Sequence, residues 1–147
     1  MSDTLSIAAA GQRDLDAIHR LELNAFASSW RREFFESELD AAGRFSLVAR
    51  SGDVLVGYLF AMYWFDEMHI NKIAVDPEHR RKGVALALMD RCFAFAREHD
   101  VATISLEVRQ SNRGAQDFYQ HIDFSPSYVR PAYYPDGEAA VVMMRQL

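Results

Sequence analysis

HINKIAVDPEHRRKGVALAL, residues 69–88, is the stretch that decides how this chain folds. Its first part ends at Val75 in a short apolar run with β-branched residues, which predicts a strand. Asp76-Pro77 predicts a turn, because a proline ring disfavours helical geometry in the residue before it. From Val84 onward, Leu88, Cys92, Phe95 and Ala96 recur at helical spacing. A strand therefore passes through a basic, glycine-containing loop into a helix. The first turn of a helix leaves backbone N–H groups unpaired and carries the positive end of the helix dipole. Gly83 lets the main chain approach a bulky anion, and Arg80, Arg81 and Lys82 add charge around it. A pyrophosphate suits such a loop. Taken alone, the same six residues also read as a solvated surface turn.

The 147 residues are of a size for one domain, residues 1–147, with a core of its own. A net charge of −5 argues against general affinity for nucleic acid and leaves the basic loop as a local feature. Cys92 is the only cysteine, so no disulfide framework or cysteine-rich metal site is expected, and helical spacing places it on an apolar face. The five histidines show no metal-ligand spacing, so no metal is expected either. The N-terminus lacks the basic head and apolar centre of a signal peptide. The longest apolar run, residues 54–65, is too short for a membrane-spanning helix. A cytoplasmic protein with no membrane contact is the expectation.

The pattern predicts a short strand over residues 5–8 and an amphipathic helix over 12–26, carrying Leu15, Ile18, Leu21 and Ala25. A second helix follows over 31–40, with Phe35 and Leu39 on one face. Trp30 and Phe34 read as core residues or as a pocket wall. Residues 45–50 and 54–64 read as antiparallel strands around Ser51-Gly52-Asp53, with Gly57 marking a bend or a close backbone approach. Residues 65–67 turn the chain into the strand ending at Val75. Ala102, Ile104, Leu106 and Val108 alternate with Thr103, Ser105 and Glu107, so this strand has one apolar and one polar face. Strand, helix, strand implies a right-handed crossover and a parallel pair. A helix over 111–121 with Ser111 as its N-cap comes next, then strands over 124–134 and 139–145 around an Asp136-Gly137 hairpin turn.

Glu107 falls at the carboxyl end of the strand that runs parallel to the one ending at Val75. Ligands of open α/β sheets bind beyond such ends, so Glu107 and the basic loop should share a cleft. Asn112 opens the next helix and Tyr119 lies two turns along it. Each residue alone reads as structural: a polar strand face, a local cap, a core aromatic. Their order and spacing beside an anion-binding loop favour a site.

With these residues in view, Arg80–Ala85 resembles the acyl-CoA pyrophosphate loop of the GNAT superfamily of N-acetyltransferases, Gln/Arg-x-x-Gly-x-Gly/Ala. Asn71-Lys72-Ile73-Ala74-Val75-Asp76-Pro77, Leu106-Glu107-Val108-Arg109 with Ser111-Asn112, and Arg130-x-x-Tyr133-Tyr134-Pro135 resemble the bacterial ribosomal-protein-alanine N-acetyltransferases within it. The resemblance implies an α/β fold with a mixed, mostly antiparallel sheet of about seven strands, a central parallel pair and helices on both faces. It implies acetyl-CoA as co-substrate, without a metal, and a protein N-terminal peptide as acceptor, with a ribosomal protein as the presumed target. Ile73, Ala74 and Val75 would present main-chain groups to the acetyl and pantetheine part. Arg81, Lys82, Gly83, Val84, Ala85 and Leu86, flanked by Arg80, would hold the pyrophosphate. Asn112 would bond the pantetheine arm, Glu107 would be the general base and Tyr119 the general acid.

Those residue types suit the chemistry. An amine attacks a thioester only when neutral, and a carboxylate can take its proton. A backbone N–H stabilises the oxyanion, and a phenol near sulfur can protonate the leaving thiolate. The chain departs from the family pattern at Ala85, where a second glycine is commoner, and at Asp123, where glycine precedes Phe124; aspartate tolerates the left-handed geometry needed there. It also departs at Ser29-Trp30, where Pro-Trp is usual, and at Glu138-Ala139-Ala140, where Glu-Asp-Ala is common. Both lie where an acceptor would touch. Two other readings compete: the same chemistry on a lysine, polyamine, amino acid or drug, and a silent acyl-CoA-binding sensor. A nucleoside-triphosphate module would need a Gly-Lys-Ser/Thr ending that the loop lacks.

Overall fold

The computed structural model describes residues 4–147. Strands β1 (Leu5–Ala9), β2 (Arg44–Ser51), β3 (Val54–Trp64), β4 (Glu67–Val75), β5 (Thr103–Arg109), β6 (Ser125–Arg130) and β7 (Ala140–Gln146) form one sheet in the order β1-β2-β3-β4-β5-β7-β6. All neighbours are antiparallel except β4 and β5. Helix α1 (Leu15–Ala25) and helix α2 (Arg32–Asp40) precede β2, α3 (Val84–Glu98) makes the crossover from β4 to β5, and α4 (Arg113–His121) follows β5.

Alternation along the strands supplies both faces of the sheet with apolar side chains. On one face Ile18, Leu21 and Phe35 of α1 and α2 pack on Val48, Tyr58, Phe60 and Ala74. On the other, Leu88, Met89, Cys92 and Ala96 of α3 meet Leu47, Leu59, Ile104 and Leu106, and Tyr119 of α4 joins them with Phe124. Gly57 is a point of close approach. A Cβ there would stand 2.9 Å from Val84 Cγ1 and 3.0 Å from the Ala74 carbonyl oxygen. The start of α3 is therefore seated directly on β3.

Several boundaries differ from the sequence pattern. Residues 12–14 form a single 3-10 turn before α1, closed by the Gly11 N–H donating to Asp14 Oδ2 at 2.9 Å. The N-cap of α4 is Asn112, not Ser111: Asn112 Oδ1 accepts from the Ala115 N–H at 3.1 Å, while the Ser111 N–H is drawn to Glu138 Oε2 at 2.8 Å. The last two strands are not joined by a tight hairpin. β6 stops at Arg130 because Pro131 has no N–H to give a ladder and Ala132 adopts φ +51°. Residues 131–139 instead form a loop with its own small turn, the Gly137 N–H donating to the Tyr134 carbonyl at 2.8 Å. Asp123 takes φ +73°, the left-handed turn its position requires.

Candidate active site

β4 and β5 pair only from Glu67↔Thr103 to Ile70↔Leu106, although β4 continues to Val75 and β5 to Arg109. The divergence starts beside a bulge in β4. Phe60 faces Lys72 and Ala61 faces Ile70, which leaves Asn71 unmatched on β3 and bends the strand. Beyond that point a gap opens between the two parallel strands. The Asp76 N–H donates to the Val56 carbonyl at 2.8 Å, so Ala74 also faces β3 and alternation turns the N–H groups of Ile73 and Val75 toward the gap. The side chain of Ala74 belongs to the core under α1, and that of Ile73 packs on the opposite core.

At the carboxyl end of β4, Asp76 caps a 3-10 turn over Pro77–His79 by accepting the Glu78 N–H at 3.1 Å. Arg81 and Gly83 both lie in the left-handed region, at φ +63° and +82°, and Gly83 is the N-cap of α3. Alternating hand in this way turns successive N–H groups toward one point, an anion-binding nest. A pocket of ≈ 220 Å³ opens there, walled by Val75, Arg80, Arg81, Gly83, Val84, Ala85 and Leu86 and closed by Phe118 of α4. Nothing stands within 4 Å of where a Gly83 side chain would begin, so the nest is open. Lys82 is exposed and contributes no wall to this pocket.

Glu107 stands at the end of β5 on the rim of the gap, its side chain only 10% exposed. Its Oε2 is 2.7 Å from His69 Nε2, and its Oε1 is 3.8 Å from Arg130 Nε. His69 Nδ1 in turn lies 2.8 Å from Ser105 Oγ, its register partner across the parallel pair. Sequence reasoning missed His69 as a site residue. Its only signal was the strand register, which the spacing of histidines does not carry. Tyr119 is buried edge-to-face between Phe118 at 5.3 Å and Phe124 at 5.7 Å. Burial, aided by Tyr134 nearby, pushes its phenol well above the usual range and keeps it protonated.

On the opposite side of the sheet a second pocket, of ≈ 390 Å³, lies between Phe26, Ala27 and Ser28 of the α1–α2 loop and Arg109 and Asp136. Arg109 reaches Asp136 Oδ2 and Glu138 Oε1, each at 2.9 Å, and its guanidinium lies 4.1 Å from the centre of the Tyr134 ring. Donors from Ser111 and Arg109 hold the Glu138 carboxyl down at about 2. Residues that read as a hairpin turn in the sequence thus anchor one wall of this pocket. Trp30 packs on Phe35 behind the other wall, at 5.4 Å, whereas Phe34 is largely exposed and lines neither pocket.

Residues 15–124 match the Acetyltransferase (GNAT) family. The chain belongs to that family. It is 30% identical over 133 residues to the [ribosomal protein bS18]-alanine N-acetyltransferase of Escherichia coli (strain K12), covering 89% of each chain. It is 31% identical over 147 residues to an N-alpha-acetyltransferase of Saccharolobus solfataricus, covering 91% of this chain and 88% of the relative. The crystal structure of the ribosomal-protein-S18-alanine N-acetyltransferase from Escherichia coli superposes with a TM-score of 0.91 and 29% identity, over 97% of this chain and 94% of that one.

In this acetyltransferase Cys92 is fully buried, its thiol pushed up to about 12 by burial, with Met68 Sδ at 3.5 Å. A thiol so placed is not a nucleophile at neutral pH. Among the described residues no helix is long and apolar enough to cross a membrane.

Proposed function

We propose that this acetyltransferase moves an acetyl group from acetyl-CoA to the N-terminal α-amine of a protein, in the cytoplasm, with the N-terminal alanine of a small-subunit ribosomal protein as acceptor. One observation carries the reading. The gap between β4 and β5 is edged by the free N–H groups of Ile73 and Val75 and rimmed by Glu107, with the anion nest of Arg80–Leu86 at its mouth. The names of the two relatives, an alanine N-acetyltransferase of a ribosomal protein and an N-alpha-acetyltransferase, support the choice of acceptor.

The open nest and the flanking arginines fit a diphosphate, and the narrow gap fits an extended arm carrying a thioester. Acetyl-CoA supplies an activated acyl carbon on a thiol leaving group. The main-chain groups of Arg81, Lys82, Gly83, Val84, Ala85 and Leu86 hold the diphosphate, with Arg80 beside them. Asn112 spends Oδ1 on the cap of α4, which leaves its Nδ2 to donate to the pantetheine arm. The N–H of Val75 donates to the acyl oxygen as charge builds on it, and Ile73 and Ala74 supply the neighbouring strand edge.

Glu107 takes the proton of the arriving ammonium, a step worth roughly two to four powers of ten in rate. His69, oriented by Ser105, fixes the carboxylate from one side, and Arg130 flanks it on the other. Tyr119, held neutral, offers its O–H to the departing sulfur. No covalent enzyme intermediate is formed, in keeping with the inert Cys92.

The test is coenzyme A release against peptides that differ only in their first residue, set beside N-terminally blocked peptides with an internal lysine and beside spermidine. Turnover of free-amine alanine peptides, with little on the blocked peptides, is the expected result. A preference for lysine side chains or small amines would overturn the acceptor assignment.

A further inference from the structure

Among the described residues the buried charged side chains are Asp14 and Glu22. Asp14 pairs with Arg50 and the Gly11 N–H at the edge of the fold. Glu22 is different: it is fully buried and draws four segments together. Its Oε1 accepts the hydroxyl of Tyr58 from β3. Its Oε2 accepts the main-chain N–H of Trp30 at 2.8 Å and pairs with Lys72 Nζ of β4 at 3.0 Å. The Lys72 ammonium also lies 3.8 Å from the centre of the Phe26 ring and 5.2 Å from that of Trp30.

The α1–α2 loop has no sheet or helix ladder to hold it; the Ser29 hydroxyl donates to the Phe26 carbonyl at 3.0 Å within it, and the Glu22 and Lys72 contacts tie it to the sheet. Phe26 at its start is covered by Lys72, and Trp30 near its end is bonded to the carboxylate itself. Phe26, Ala27 and Ser28 in between form the wall of the pocket that faces Arg109 and Asp136. Lys72 immediately precedes Ile73, whose strand edge borders the gap. One carboxylate therefore links the loop that carries the pocket wall to the strand that borders the gap. A residue that merely filled space would not need to accept the Trp30 N–H.

We propose that Glu22 is a positioning residue for the acceptor, holding the 26–28 wall against β4 through the Trp30 N–H, with Lys72 as the counter-charge that allows its burial. The proposal rests on reading that pocket as the acceptor side. Removing one partner would strand the other charge in the core, so both are replaced together. E22Q/K72M keeps an oxygen for the Trp30 N–H, and E22A/K72M does not. In E22A/K72M the KM for an alanine peptide should rise about tenfold, as the 26–28 wall loses its tie through the Trp30 N–H. In E22Q/K72M it should stay within about threefold, and in both the KM for acetyl-CoA should move less than about twofold.

Equal peptide KM values in the two variants overturn the proposal, as does an equal rise in the KM for acetyl-CoA. A second measurement needs no variant. Hydrogen exchange on the unaltered protein should show the Trp30 amide protected well beyond those of Ala27 and Ser28, and an unprotected Trp30 amide overturns the proposal. An unaltered enzyme that acetylates no N-terminal peptide would refute the functional reading, while the exchange measurement would still decide the role of Glu22.

Discussion

Replacing Gly57 by alanine tests how the anion nest is held. The added Cβ would lie 2.9 Å from Val84 Cγ1, 3.0 Å from the Ala74 carbonyl oxygen and 3.4 Å from Leu88 Cδ1. Carbon atoms in contact prefer ~3.5–4.0 Å, so Val84 must retreat by about 0.6–1.1 Å. The Val84 and Leu88 side chains can yield, but the Ala74 oxygen belongs to β4 and cannot move without the strand. Overpacking of this kind costs about 1–3 kcal/mol, offset slightly by the lower unfolded-state entropy of alanine. At about 2 kcal/mol the melting temperature should fall by roughly 4–8 °C for a domain of this length. Val84 is the first residue of α3, so the displacement also spoils the aim of the N–H groups that follow Gly83. Affinity for coenzyme A should drop about tenfold, or ~1.4 kcal/mol, with the KM for the acceptor peptide unchanged. Differential scanning calorimetry and titration calorimetry measure the two effects. A melt within about 1 °C of the parent, with unchanged affinity for coenzyme A, would refute the seating of α3 on β3 as what sets the nest.

Glu107→Gln should lower kcat by roughly two to four powers of ten while leaving the coenzyme A affinity intact. An effect below about threefold in steady-state assays would remove Glu107 from the proton path. Tyr119→Phe should lower turnover by about tenfold or more without changing the KM of either substrate, read by the same assay. Gly83→Ala forces a side chain into φ +82°, which costs about 1 kcal/mol and should weaken coenzyme A binding more than it lowers the melting temperature. Glu138 has its folded pKa at about 2, below the ordinary 4.5, so its stabilising effect is present above pH 4.5 and is lost as pH falls toward 2. Melting curves of the parent and Glu138→Gln should therefore differ by a constant amount above about pH 5 and converge in acid; a gap that widens in acid would reverse the assignment.

The elements nearest the site were the most legible in the sequence, because each was written in a local pattern. The Val75 strand, the Asp76-Pro77 turn and the α3 periodicity need only their own neighbours, and the clean alternation of β5 places Glu107 on its polar face. Asp123 took the left-handed turn that its side chain tolerates. What could not be read depends on residues distant in the chain. His69 meets Glu107 only through the parallel register of β4 and β5. Ser111 reads as a cap, but Asn112 takes that role while Glu138 from the far loop accepts the Ser111 N–H, and beyond Pro131 Arg109 ties residues 136–138 to the end of β5. Glu22 looks like the polar side of an amphipathic helix, and its burial follows from a lysine on the central strand of the sheet.

The divergence of β4 from β5 has a genetic corollary. The hydrogens that Ile73 and Val75 turn toward the opening belong to the peptide units, and nineteen of the twenty amino acids carry one. Exchanges among apolar side chains that still pack on the α3 side of the core leave unaltered what the opening presents. Proline alone would erase it.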